Sequence, residues 1–311
     1  MKAVTGSHVV ETAGARVAID EDGIRIEAAV KGSTMFGCTE VCTEENVPKP
    51  GPRVKFCPVR SRLYGIQEET DETVIASIQQ NIEEYGMYTP MRKLTDQGRT
   101  VSFGASEIIA DAIADGLVDC AVMVCDGAGT VLLTNPDVVR AVGAHMTGLI
   151  STTPIQSTLD GLRAMGSIIL DEEGSIDQLQ GFGRAVEEGY HSIAVTIVGR
   201  ENHLAHQIKT QAKGKNVDAH VFACHTTGVC GFSAEILAGF CDVVYACASR
   251  QVRHTIAPKA KLQMGSSVPV FGMTDAGKKL MLNSAARMDE PLLLVKERIP
   301  NLESDQPRPL L

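Results

Sequence analysis

Tryptophan is absent from the 311 residues and aromatic residues make up only 4% of them. A chain this poor in aromatics has little from which to build the stacking platforms that hold single-stranded nucleic acid. Its net charge of -9 withholds the basic surface on which nucleic-acid affinity rests. No apolar run approaches the roughly 20 residues of a membrane span. The opening MKAVTGSHVVETAGARV lacks the apolar core of a secretory signal. These absences predict a cytoplasmic chain with neither a nucleic-acid nor a membrane partner. Close CxxC pairs are missing as well: the nearest approach is Cys38-x3-Cys42, which speaks against the usual structural zinc site. A ferredoxin-type cysteine run is also lacking.

What is present is nine cysteines in a chain 44% hydrophobic and 22% charged. Disulfide frameworks belong to short secreted chains, and an odd count cannot pair completely. In a reducing compartment the remaining roles are buried apolar thiols, a catalytic thiolate or metal ligands. Most of the nine are expected to be of the first kind.

Residues 7–30 alternate with period two around an Asp22-Gly23 turn, which predicts a small antiparallel meander. Residues 31–62 lack periodicity and hold Pro48, Pro50 and Pro52 together with Cys38, Cys42 and Cys57. Residues 71–85 place Val74, Ile75, Ile78, Ile82 and Tyr85 on one helical face, with Thr70 or Asp71 as cap and Gly86 as stop. A second helix is predicted from Ser106, its cap, to Ala114, with Glu107 in the first turn. The first half of the stretch Val118–Thr130, VDCAVMVCDGAGT, reads as a strand buried on both faces. It ends at Cys125 and Asp126, where Gly127 and Gly129 turn the backbone.

Helices follow from Asn135-Pro136 towards His145 and from Thr153-Pro154 to Met165. Strands at 167–170, 192–198, 219–224, 242–247 and 268–273 then alternate with helices near 175–188, 200–213 and 232–239. This rhythm predicts an α/β fold, mostly parallel sheets with helices on both faces. The expected layout is an N-terminal β meander and cysteine-containing loop (1–62), a first α/β lobe (63–150), a second lobe (151–300) and a loose tail (301–311).

Three strands end alike: Val124-Cys125-Asp126-Gly127, Ala223-Cys224-His225-Thr226-Thr227-Gly228 and Ala246-Cys247-Ala248-Ser249-Arg250. In a parallel sheet such ends share one edge, where ligands bind. For one cysteine a core role is the better reading; for three, each followed by a polar loop, a site is. Scattered single thiols fit an iron–sulfur cluster held by three thiolates with one iron left open, because an open position separates a catalytic metal from a structural one. A lone nucleophilic cysteine with His225 as base competes but uses fewer of the thiols. Asp126 or His225 is the candidate for activating water, and Thr226 and Thr227 offer hydroxyl donors. Arg250 and Arg253, one turn apart, either hold a substrate carboxylate by paired hydrogen bonds or make surface contacts. Gly127-x-Gly129 is not a dinucleotide fingerprint, since the third glycine is out of register.

The segments Cys57-Pro58, Tyr85-Gly86-Met87, Phe103-Gly104-Ala105-Ser106-Glu107, Val124-Cys125-Asp126-Gly127-Ala128-Gly129-Thr130, His225-Thr226-Thr227-Gly228 and Ala246-Cys247-Ala248-Ser249 resemble those of methanogenesis marker protein eight and its bacterial relatives. The resemblance runs from about residue 53 to residue 285, with DGAGT and HTTG its more specific parts. It implies Cys57, Cys125 and Cys247 as metal ligands. Cys224 stands where the family has an aliphatic residue, and Cys38 and Cys42 are particular to this chain. Among the relatives is a desulfhydrase of ergothioneine breakdown, which converts a thiohydantoin propionate to its oxygen analogue. The resemblance thus implies an enzyme, a [4Fe-4S]-dependent desulfidase acting on a small thione, with Arg250 holding the propionate. A homo-oligomer is compatible with it. The alternative is a non-catalytic iron–sulfur or sulfur-carrier assembly protein for a redox enzyme.

Overall fold

The computed structural model describes residues 3–27, 53–95, 98–146 and 148–311. Cys38 and Cys42 lie outside the described residues. The predicted meander is present as β1 (His8–Thr12), β2 (Ala15–Asp20) and β3 (Gly23–Glu27), each antiparallel to the next. A fourth strand, β6 (Gly148–Thr152), pairs antiparallel with β1 and gives the order β3-β2-β1-β6. Its short sequence, GLIST, alternates too weakly to announce a strand. The apolar side of this sheet, Val10, Val17 and Ile19, is covered by Val74, Ile78 and Ile82 of α2 (Asp71–Tyr85). Thr70 caps α2 by a reciprocal bond with Thr73, and Gly86 stops it in the left-handed region at φ 67°. A Cβ at Gly86 would lie 2.1 Å from the Met91 carbonyl oxygen, so only glycine fits that turn. Ahead of α2, Cys57-Pro58 opens an unexpected short helix, α1 (Pro58–Tyr64), with proline at the first position, where no amide partner is needed.

The larger sheet has eight strands in the order β11-β12-β10-β9-β8-β4-β5-β7. Its centre is parallel: β4 (Cys120–Cys125), β8 (Ser192–Val198), β9 (Asp218–His225) and β10 (Val243–Tyr245). Antiparallel strands finish both edges, β5 (Gly129–Leu133) and β7 (Ile168–Ile169) on one side, β12 (Val270–Gly272) and β11 (Leu262–Met264) on the other. The expected boundary near residues 150–166 falls between strands of this one sheet, for β4 pairs with β8 and β5 with β7.

Helices cover both faces, as the alternating pattern predicts. One face packs against α3 (Ala105–Ala114), α4 (Pro136–Gly143), α5 (Gln156–Ala164) and α9 (Asp275–Ala286), through Ile108, Val139, Leu162 and Met281. The other packs against α6 (Gln178–Glu187), α7 (Asn202–Lys215) and α8 (Gly231–Phe240), through Phe182, Ile208 and Leu237. Buried Asp111 of α3 pins its neighbours, accepting from Arg99, Arg140 and Ser284.

Gly127 and Gly129, at φ 74° and 73°, make the sharp turn expected of them and fold the chain back into β5 as a hairpin, while two other expectations are corrected. A Cβ at Gly129 would stand 2.4 Å from the Gly174 carbonyl carbon. The cap of α3 is Gly104 and not Ser106, because the Glu107 carboxylate folds back over the turn to accept from the Thr100 and Val101 amides and from the Ser106 hydroxyl. The C-terminal residues are not loose: Arg308 forms an antiparallel bridge with Phe56, and Leu311 exchanges backbone bonds with Ala248 and Arg250. No helix among the described residues is long and apolar enough to cross a membrane.

Candidate functional site

A cavity of about 780 Å³ opens at the carboxyl ends of the parallel strands, the place the strand-end chemistry of the sequence indicates. Its floor is Met123 and Val124 from β4, Thr196 to Val198 from β8, Cys224, His225 and Thr227 at the end of β9, and Tyr245, Cys247 and Ala248 at the end of β10. Cys57, Arg60 and Tyr64 of the α1 segment and Ser106 and Glu107 of α3 close it. Three cysteines from three separate segments therefore line one space.

Cys224 follows Phe222 on the same side of β9 and packs with Tyr245 against the same core cluster. Cys247 sits two residues beyond β10 with its backbone in the left-handed region, φ 41°, which for a cysteine stores strain that the surroundings must over-determine. Arg253 supplies part of that constraint by donating to the carbonyls of Ala246 and Ser249 at 3.2 and 2.8 Å. The Cys247 thiol donates to the Cys224 carbonyl oxygen at 3.3 Å.

Burial pushes the thiols of Cys57, Cys224 and Cys247 up. Against it, the Thr226 amide and hydroxyl and the Arg253 charge favour the Cys247 thiolate, while the amides of Arg60 and Val59 favour that of Cys57. The negative charge of Cys57 raises Cys247 further. Thiols raised in this way give up their protons on binding a soft metal.

His225 lines the same cavity, and its Nε2 faces Glu11 Oε1 at 3.2 Å. A carboxylate only accepts, so Nε2 carries the proton and Nδ1 is left as the basic nitrogen. Glu11 also pairs with Arg200. Burial, then the Arg200 charge, lowers His225 to about 4, which keeps the imidazole neutral at physiological pH. Tyr245 contributes a hydroxyl that is buried and finds no partner among the described residues.

The other residues singled out from the sequence lie elsewhere. Cys125 is fully buried in the core and does not line the cavity; its thiol donates to the carbonyl of Asp126. Asp126 is equally buried, in an ion pair with Arg92 Nε at 2.9 Å, and accepts the Tyr88 amide at 2.7 Å. That amide belongs to a residue held at φ 63°, so the carboxylate braces a strained turn. Thr226 is buried and ties β9 to β10 through the Tyr245 carbonyl, whereas Thr227 does line the cavity and accepts the Ala248 amide. Arg250 is exposed and holds Leu310 and Leu311. Arg253 is spent on the Cys247 turn and Gln306.

Tyr245 and Glu11 are not singled out from the sequence, while Cys224 is set aside as a ligand and Glu107 is read only as part of a helix start. Cys224 was visible in the repeated strand endings. Glu11 was not, since it reaches His225 across 214 positions. Among the described residues no three His, Cys, Asp or Glu side chains close on a point in the manner of a single-ion site.

Fold and cavity together define an α/β protein with a thiol-lined pocket at the carboxyl edge of its parallel strands. The chain belongs to the family described as an uncharacterized protein conserved in archaea (DUF2099), which matches residues 35–286. It is 33% identical over 261 residues to an uncharacterized protein of Methanocaldococcus jannaschii, a match covering 84% of this chain and 91% of that protein.

Proposed function

We propose that this chain is an iron–sulfur-dependent desulfidase, replacing C=S by C=O in a small thiohydantoin-like heterocycle with release of sulfide. One observation carries the reading: Cys57, Cys224 and Cys247, distant in sequence, line one cavity. The resemblance to methanogenesis marker protein eight and to the thiohydantoin desulfhydrase supports it. The ligand set differs from the one that resemblance implies, with Cys224 in place of Cys125. Cys57, Cys224 and Cys247 would hold an iron–sulfur cluster as thiolates. No fourth cysteine among the described residues lines the cavity. When bound, such a cluster supplies a Lewis-acidic iron for the thione sulfur.

The remaining work falls to the chain. Neutral His225, oriented by Glu11, takes a proton from water as its oxygen adds to the thione carbon. The C–S bond then breaks and sulfur leaves as hydrogen sulfide; thione plus water gives the oxo product plus hydrogen sulfide, with no change in oxidation state. Val124, Ile197 and Val268 line the cavity and keep bulk water out. The test is anaerobic purification with an absorption spectrum, iron and sulfide counts, and an assay of sulfide release from a thiohydantoin. A colourless preparation with full activity overturns the proposal.

A second reading rests on the left-handed backbone of Cys247. A strained strand-to-helix turn presents a nucleophile at the top of a sheet in other α/β enzymes. On this reading one alkylated thiol ends activity and iron is irrelevant to it.

A further inference from the structure

The turn before Cys57 and the turn after Cys247 are far apart in sequence, yet residues 306–311 hydrogen-bond to both. On the Cys57 side, the Lys55 and Phe56 amides donate to the Arg308 carbonyl at 2.6 and 3.0 Å, and the Arg308 amide donates to the Phe56 carbonyl at 2.9 Å. On the Cys247 side, the Leu311 amide donates to the Ala248 carbonyl and the Arg250 amide to the Leu311 carbonyl, each at 2.8 Å. Phe56 and Ala248 are the immediate neighbours of the two cysteines. Two residues ahead of the Arg308 anchor, Gln306 Oε1 accepts from Arg253 Nε and from a terminal guanidinium nitrogen at 3.0 and 2.9 Å. The same guanidinium clasps the carbonyls on either side of Cys247.

We infer that residues 306–311 form a positioning strap that sets the spacing of the Cys57 and Cys247 sulfurs, using Gln306 to hold Arg253 on the Cys247 turn. The inference rests on the reading of the cavity as a thiol site. Both thiols need outside support. Cys57 caps a helix of seven residues without a side-chain cap bond, and Cys247 occupies a backbone region that relaxes unless neighbours hold it. A strap bonded to both turns meets the two needs at once. It lies beyond residues 35–286, which the family match covers.

The test compares the full chain, a chain lacking residues 306–311, and Gln306→Leu, all reduced and metal-free. Each is treated with bismaleimidoethane, and linked peptides are quantified by mass spectrometry, with far-UV circular dichroism as the check on folding. The full chain should give a Cys57–Cys247 link. Truncation should lower its yield at least tenfold and Gln306→Leu several-fold. The Cys224–Cys247 link, supported by the bond of the Cys247 thiol to the Cys224 carbonyl, should fall less than the Cys57–Cys247 link in both. An undiminished Cys57–Cys247 yield in a folded truncated chain overturns the strap while leaving the thiol site standing. If the truncated chain does not fold, an undiminished yield in Gln306→Leu overturns it. Absence of the link in the full chain instead removes the thiol-site reading, and the strap with it.

Discussion

The Cys247 thiol reaches back 3.3 Å to the carbonyl oxygen of Cys224, so two strand ends that are separate in sequence meet sulfur to backbone. Neither residue is fully buried, and both face the cavity. Cys125, which ends its strand in the same local pattern, is sealed in the core. The division between site thiols and packing thiols is sharp enough to test by substitution.

Cys57→Ala, Cys224→Ala and Cys247→Ala are each expected to abolish bound iron and sulfide release while leaving the fold intact. Cys125→Ala should keep both and lose about 1 kcal/mol of stability, the scale of one small buried group. Iron counts after anaerobic purification and urea titrations check these outcomes. Loss of iron in Cys125→Ala with retention in Cys224→Ala would restore the ligand set that the family resemblance implies.

Asp126→Ala should act on stability before chemistry. It removes one partner of a fully buried ion pair with Arg92 and the acceptor of the Tyr88 amide, a loss of about 3–5 kcal/mol. Urea unfolding measures it. A variant of native stability without activity would return Asp126 to the catalytic role that its place beside Cys125 suggested.

Stability should fall on acidification. Burial lowers the imidazoles of His8, His220 and His225 from the ordinary 6.5, His225 to about 4. The unfolded chain therefore binds these protons more readily than the native one. Their contribution is complete above pH 6.5 and is lost as pH falls from 6.5 towards about 4. Melting temperature against pH should decline through that window, and His220→Gln should flatten the decline. A flat profile in the parent chain would contradict the burial of these rings.

His225→Ala is expected to lower kcat by about 10²–10⁴, the usual contribution of a general base, without loss of iron. Glu11→Gln should keep the ring in place through a weaker bond and cost less. Equal loss of iron and activity in His225→Ala would mean that the ring supports the metal site and not the water. Steady-state kinetics with iron counts on the same samples separate the two.

Much of the architecture was legible in the sequence, because each feature follows from residues close together in the chain. The period-two run at residues 7–30, the capped apolar face of residues 71–85 and the strand–helix alternation after residue 118 specify the meander, α2 and the covered sheet. They also specify that several cysteines sit at strand ends on one edge. What only the tertiary structure decided is which of those cysteines share a space. Gly127 and Gly129 turn β4 back into a hairpin, and Arg92 arrives from a loop to seal Asp126, so Cys125 becomes core. Glu11 crosses from the small sheet to hold His225, and Arg308 joins the Cys57 turn to the C-terminal residues. Contacts of that range impose no periodicity on the residues between them, so composition and spacing leave no trace of them.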